Sequence, residues 1–168
     1  MTLYDTQGNY LVGGQLLLAT RRGRQIPNDR RPEQPPERMR AAQDIVSAAH
    51  PTVRARSLTA AYNCMGMVFA SRRTWIDTDE LGMILEDDEY RRLSSNEEVV
   101  LGDIVVYKDV TGAVSHVGVV ARVSIDFVAG TKETTVLSQW GRDGEYFHRV
   151  DDVNSRLGSP SEYWTDRR

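Results

Sequence analysis

The chain has 168 residues, of which 40 % are hydrophobic and 27 % charged, and its 21 Lys and Arg against 24 Asp and Glu give a formal net charge of −3. That length and apolar share predict one compact core and argue against a wholly disordered chain. The negative balance leaves no global positive field to draw the protein onto nucleic acid or anionic lipid. With Cys64 as its one cysteine, the fold has no internal disulfide to lean on.

Met1 to Tyr10 lack Lys, Arg and a continuous apolar stretch. The longest early apolar run, Leu16 to Ala19, is far too short to span a bilayer. The expectation is a protein without membrane contact, cytoplasmic or exported by a route that needs no N-terminal signal. Thr2 to Thr20 alternate polar and apolar residues around Gly8, Gly13 and Gly14 and suggest an irregular strand or hairpin. Arg21 to Arg40 holds seven arginines, three acids and Pro27, Pro32, Pro35 and Pro36, a mixture that resists helix and sheet alike. It reads as a loop, either a solvated connection or a basic docking strip, and no aromatic residues interleave it to stack bases.

Glu37 to His50 reads as a helix, started after Pro36 and ended by Pro51, with Met39, Ala42, Ile45, Val46 and Ala49 at helical spacing. A second helical pattern runs from Cys64 to Ile76 through Met65, Val68, Phe69, Arg72 and Trp75. A short helical or turn segment follows at Leu85 to Leu93. After Gly102 the period changes to 2, and four runs read as strands: Asp103 to Tyr107, His116 to Val123, Thr134 to Trp140 and Tyr146 to Val150. Thr111-Gly112 and Asp143-Gly144 lie between runs as hairpin turns, so neighbours should pair antiparallel. Helices first and an antiparallel sheet second is the α+β pattern, here as a single domain over 1–168 with the Arg/Pro-rich loop at about 21–36 in an N-terminal extension.

Cys64 begins an amphipathic helix, where unpaired N–H groups and the positive end of the macrodipole favour a thiolate. A free cysteine is more often a small buried hydrophobe, so the chemistry needs a base. His116 starts a Val-rich strand, with Gly118 two residues on leaving room on the same face. A Cys at a helix start facing a His on the adjoining sheet is a nucleophile and base, with a third polar side chain to orient the ring. Gln139 and Ser138, on opposite faces of the next strand, are the candidates for that third role. His148 reads as structural or surface, and Trp140 and Trp164 as core or groove lining. The acidic run Glu86 to Glu89 lacks the spacing of a calcium loop and reads as a solvated helix start. The three histidines and Cys64 lack the close spacing of zinc motifs, so neither metal nor cofactor is expected.

Three stretches resemble the NlpC-type and CHAP-type cysteine hydrolases, a superfamily with a compact papain-like fold. Tyr62-Asn63-Cys64-Met65-Gly66-Met67-Val68 is similar to the family's Asp-Cys-Ser-Gly-Leu-Val block, whose Cys is the nucleophile. Leu101 to Tyr107 resembles its Gly-Asp-Leu-Val-Phe-Phe strand, and His116-Val117-Gly118-Val119-Val120 the His-Val-Gly-Ile strand that bears the base. Asn63 stands in place of the family's Asp and Met65 in place of its Ser, and the third residue falls at Ser138-Gln139. The resemblance implies helices packed on the antiparallel sheet, a hydrolase-like core over about 37–168, and hydrolysis of a peptide or other amide by Cys64, His116 and Gln139, with Ser138 the alternative third residue. Under it Tyr62 and Asn63 become oxyanion or substrate contacts, beside the Cys64 N–H. A non-catalytic binding module on the same fold, and an acyltransferase or deamidase, remain open alternatives.

Overall fold

The computed structural model describes residues 14–126 and 130–168, with residues 1–13 and 127–129 outside the description. Most of the expectation for Thr2 to Thr20 therefore lies outside the described residues, and the rest forms no strand beyond an isolated bridge between Ala19 and Gln25. The elements are α1 (Pro36–Ala49), β1 (Arg54–Ser57), α2 (Cys64–Phe69), a 3-10 turn at Thr78–Glu80, α3 (Leu81–Asp87), β2 (Arg91–Arg92), β3 (Ile104–Lys108), β4 (Val114–Asp126), β5 (Thr131–Gln139), β6 (Glu145–Arg149), a second 3-10 turn at Ser155–Leu157 and β7 (Ser159–Thr165). The architecture is α+β. One sheet carries seven strands in the order β1-β6-β5-β4-β3-β7-β2, and every neighbouring pair is antiparallel.

Proline sets both ends of α1. Pro36 occupies the first turn, where a missing N–H costs nothing, and Pro51 disfavours helical backbone at His50. The buried stripe is narrower than the spacing predicted: Met39 and Val46 are inside, while Ile45 is 70 % exposed. Val46 packs with Val53, Trp140 and Tyr146.

The two faces of the sheet bury different sets. On one, Ile104, Val106 and Val117 meet α2 and α3 through Cys64, Met65, Leu81, Ile84 and Leu85. On the other, Val105, Tyr107 and Val136 pack against Val150, Val153 and Tyr163. Gly118 belongs to this second face, and a Cβ there would overlap Val136 Cγ1 and stand 3.1 Å from Ser138 Cβ. The room expected beside His116 is thus occupied by side chains of β5.

The second predicted helix stops at Phe69 rather than Ile76. Ser71 and Arg72 adopt positive φ values of 48° and 63°, which end the helical path and return Thr74 across Gly66. The acidic run lies at the end of α3 rather than at a helix start, and it is not simply solvated. Asp87 is 1 % exposed. It accepts hydrogen bonds from Thr20 Oγ1 at 2.7 Å and from Arg24, so the Arg/Pro-rich loop is fastened to α3. Its Arg31 lies 4.2 Å above the Trp75 ring, and Thr20, Ile26 and Asn28 are buried. Among the described residues no helix is long and apolar enough to cross a membrane.

Candidate active site

α2 starts with Asn63 in extended conformation, its Oδ1 accepting from the Gly66 N–H at 2.9 Å. The same amide accepts from the Ile76 N–H and donates to the Ile76 carbonyl at 2.7 Å. The donated bond accounts for asparagine here, because an aspartate would cap the helix but leave the Ile76 carbonyl without that partner. Asn63 is therefore committed to the backbone rather than free for a substrate.

Cys64 follows as the first helical residue, 6 % exposed. The ladder between β4 and β5 starts at Val119 and Leu137, leaving the beginning of β4 unpaired on that side, and α2 contacts both strands there. The sulfur faces the backbone N–H groups of Val117, Met65 and Cys64 itself, which favour the thiolate. Burial outweighs them and pushes the thiol up to about 11.

Cys64 therefore meets Val117 on the α2 face, whereas the His116 side chain points to the opposite face with Tyr107 and Ser138, so the fold does not bring the expected sulfur and imidazole together. His116 pairs across the sheet with Tyr107, its ring 5.3 Å away, and is 1 % exposed. Burial, with a smaller contribution from His148, lowers its pKa to about 3. Its Nε2 is buried without a hydrogen-bond partner.

Ser138 shares the His116 face, yet its hydroxyl is bonded to His148 Nε2 at 2.8 Å and accepts from Trp140 Nε1 at 3.1 Å. Because His148 Nδ1 faces the Arg149 carbonyl at 2.7 Å, Nδ1 donates and Nε2 accepts. His148 is thus a satisfied structural histidine, held neutral by burial with a pKa lowered to about 4. Gln139 lies on the α2 face and donates through Nε2 to the Thr59 and Gly141 carbonyls at 2.7 and 2.9 Å. Its Oε1 is buried and unpartnered.

Tyr62 does not offer a free hydroxyl to an oxyanion, because it donates to Glu145 Oε2. Glu145, which the sequence did not single out, is fully buried and receives Arg72 through Nε and Nη2 at 2.9 and 3.0 Å and Arg56 at 2.9 Å. Burial pushes its carboxyl up, but the hydrogen bonds from Arg72 and Tyr62 and the charges of both arginines prevail, and the pKa falls. Two arginines with one glutamate in a strand carry no spacing signal; only the fold unites them. A cavity of about 440 Å³ opens beside Asn63, lined also by Arg31, Trp75 and Ile76. Among the described residues no group of three or more His, Cys, Asp or Glu side chains converges to hold a metal ion. No family model, curated protein or solved structure matches the chain.

Proposed function

We propose that the protein is a cysteine-dependent hydrolase of amide bonds on a papain-like fold, with Cys64 as nucleophile and His116 as base, and that the site described above is its closed state. One observation carries the reading. Among the described residues, the buried side-chain atoms without a hydrogen-bond partner are His116 Nε2 and Gln139 Oε1, both members of the expected triad. An unsatisfied buried polar group costs about 1–3 kcal/mol, and His148 on the same sheet shows how a purely structural histidine is satisfied here. Polar groups left unpaired at such cost are characteristic of sites kept for chemistry.

The open state has to turn the His116 ring to the α2 face at the start of β4, which has no ladder to β5; the Cys64 S–H proton then passes to His116 as the sulfur attacks the amide carbonyl carbon, and the Cys64 N–H receives the developing oxyanion. His116 returns the proton to the leaving nitrogen. It then takes a proton from water, whose oxygen attacks the thioester and restores the thiol. With the ring on the α2 face, Gln139 Oε1, which lies on that face without a partner, becomes the acceptor for the imidazolium N–H. The cavity beside Asn63 is the approach for the substrate, a peptide or other amide. A lone cysteine kept as a free thiol suits a reducing, cytoplasmic setting. Transfer to an amine and deamidation use the same acyl-enzyme and differ in acceptor or donor.

Burial of the thiol and the imidazole favours a second reading, a binding module without catalysis. Incubation with p-nitrophenyl acetate followed by intact mass and peptide mapping separates the two. Hydrolase chemistry requires one acetyl adduct on Cys64, absent in Cys64→Ala and formed about a hundredfold more slowly in folded His116→Ala. No adduct on Cys64, or an equal rate without the imidazole, leaves the binding module.

A further inference from the structure

Beyond α2 the helix-side face of the sheet is open, and its cross-strand rows are ordered by charge. Arg54, Phe147, Leu137 and Val119 follow one another across β1, β6, β5 and β4, and Arg149, Thr135 and Arg122 form the row beside them. A concavity of about 580 Å³ lies over these rows, lined by Arg54, Arg122, Arg149, Phe147, Thr135 and Glu133. Arg149 is paired with Glu133 and Asp151 at 3.7 and 3.4 Å. Among the described residues Arg54 has hydrogen bonds to the Pro51 and Val53 carbonyls but no carboxylate partner, and Arg122 likewise has none. A chain of net charge −3 therefore presents one local surface with two unneutralised guanidinium groups at the ends of a partly buried apolar floor.

We propose that this open face binds an extended acidic peptide, its carboxylates on Arg54 and Arg122 and its apolar side chains over Phe147 and Leu137. The distances agree. Three strand spacings from β1 to β4 amount to about 14 Å, and four residues of extended chain span about 13 Å, so acidic residues four apart reach both arginines while the residue between them meets the floor. Guanidinium is suited to carboxylate through its planar pair of N–H donors. A long polyanion is disfavoured, because the rest of the molecule repels it. The inference is independent of whether Cys64 reacts.

The test titrates the full-length chain calorimetrically at low salt with the acetylated, amidated peptide Glu-Thr-Leu-Thr-Glu, whose leucine shares the face of both glutamates, its lysine counterpart Lys-Thr-Leu-Thr-Lys, and a thymidine decanucleotide. The acidic peptide binds and the lysine peptide does not. Arg54→Gln and Arg122→Gln each weaken binding about three- to fivefold, the double variant about tenfold or more, and Arg40→Gln on α1 leaves it unchanged. Both arginines are exposed, so the variants fold. Absence of binding, equal binding of the lysine peptide, unchanged affinity in the double variant, an equal loss in Arg40→Gln, or tighter binding of the decanucleotide with the same arginine dependence would each overturn the proposal.

Discussion

Replacing Gly66 by alanine puts a methyl group where the Thr74 backbone already lies. The added Cβ would overlap the Thr74 carbonyl oxygen and stand 2.9 Å from the carbonyl carbon and 3.3 Å from Asn63 Oδ1. Neither neighbour yields cheaply. The Thr74 hydroxyl is held against Asn28 Oδ1 and the Asp29 carbonyl at 3.0 and 2.9 Å, and Asn63 Oδ1 carries the α2 cap. Helix propensity favours alanine by about 1 kcal/mol, whereas overpacking against rigid backbone costs about 3 kcal/mol, so Gly66→Ala should destabilise by about 2 kcal/mol. Gly82 in α3 supplies the control, because nothing lies within 4 Å of its Cβ position and Gly82→Ala should stabilise by about 0.5–1 kcal/mol. At about 2–4 °C per kcal/mol for a domain of this size, the first variant melts about 4–8 °C lower and the second a few degrees higher. Urea and thermal unfolding followed by tryptophan fluorescence read both. A Gly66→Ala protein as stable as the wild type would mean that α2 does not dock on Thr74, and the frame that positions Cys64 would fall with it.

Glu145→Gln removes the charge that holds Arg56 and Arg72 while preserving shape; since both arginines can rehydrate, the expected loss is about 2–3 kcal/mol, measured by urea unfolding. Asp87 titrates at about 2 instead of the ordinary 3.8, chiefly through its hydrogen bond from Arg24. Its contribution to stability is present above the ordinary value and lost as pH falls toward about 2, so unfolding midpoints measured over that window should fall more steeply in wild type than in Asp87→Asn. Cys64, pushed up to about 11 by burial from an ordinary 9.0, should react with iodoacetamide at pH 7.5 more slowly in the folded protein than after urea unfolding. Because the protonated thiol is the favoured folded form, its contribution to stability is complete below the ordinary pKa and is lost as pH rises through the folded one.

The parts of the fold readable from sequence are those in which near neighbours decide. The proline-bounded α1, the period-2 runs of β3 to β6 and the glycine turns between them are local signals, and they appear close to their expected limits. The missing strands lack such signals. β1 is Arg-Ala-Arg-Ser, a charged edge that protects the sheet from further pairing, and β7 contains Pro160, which argues against a paired strand yet lies opposite Tyr107. The early end of α2 was hidden for another reason. The helical period continues past Phe69, but Arg72 is drawn to a carboxylate 73 residues away, a contact no window of sequence contains. The elements that carry Cys64, His116, Ser138 and Gln139, a helix start and neighbouring strands, were legible, but the faces were not: Cys64 and Gln139 lie on the α2 side of the sheet and His116 and Ser138 on the other. Nor were the atoms they bond, because Ser138 is claimed by Trp140 and His148 and Tyr62 by Glu145.

Cys64 and His116 lie on opposite faces of the sheet, and burial holds each of them silent. In an activated pair the imidazole must compete with sulfur for one proton, so the thiol pKa has to fall and the histidine pKa to rise. Here desolvation drives both the other way, the thiol up to about 11 and His116 down to about 3, and each rests neutral. The same desolvation penalises both charged forms; admitting water or a polar substrate to the α2 start relieves the thiol, and the imidazole has to leave the Tyr107 face before thiolate and imidazolium can stabilise one another. The helix N–H groups and the Val117 N–H already face the sulfur and need no rearrangement to support the anion. Under the proposed hydrolase reading, opening, rather than the intrinsic acidity of either group, is the step that controls reactivity. That step centres on the end of the β4–β5 seam, with Cys64 and the unpartnered oxygen of Gln139 on its α2 face and His116 on the other.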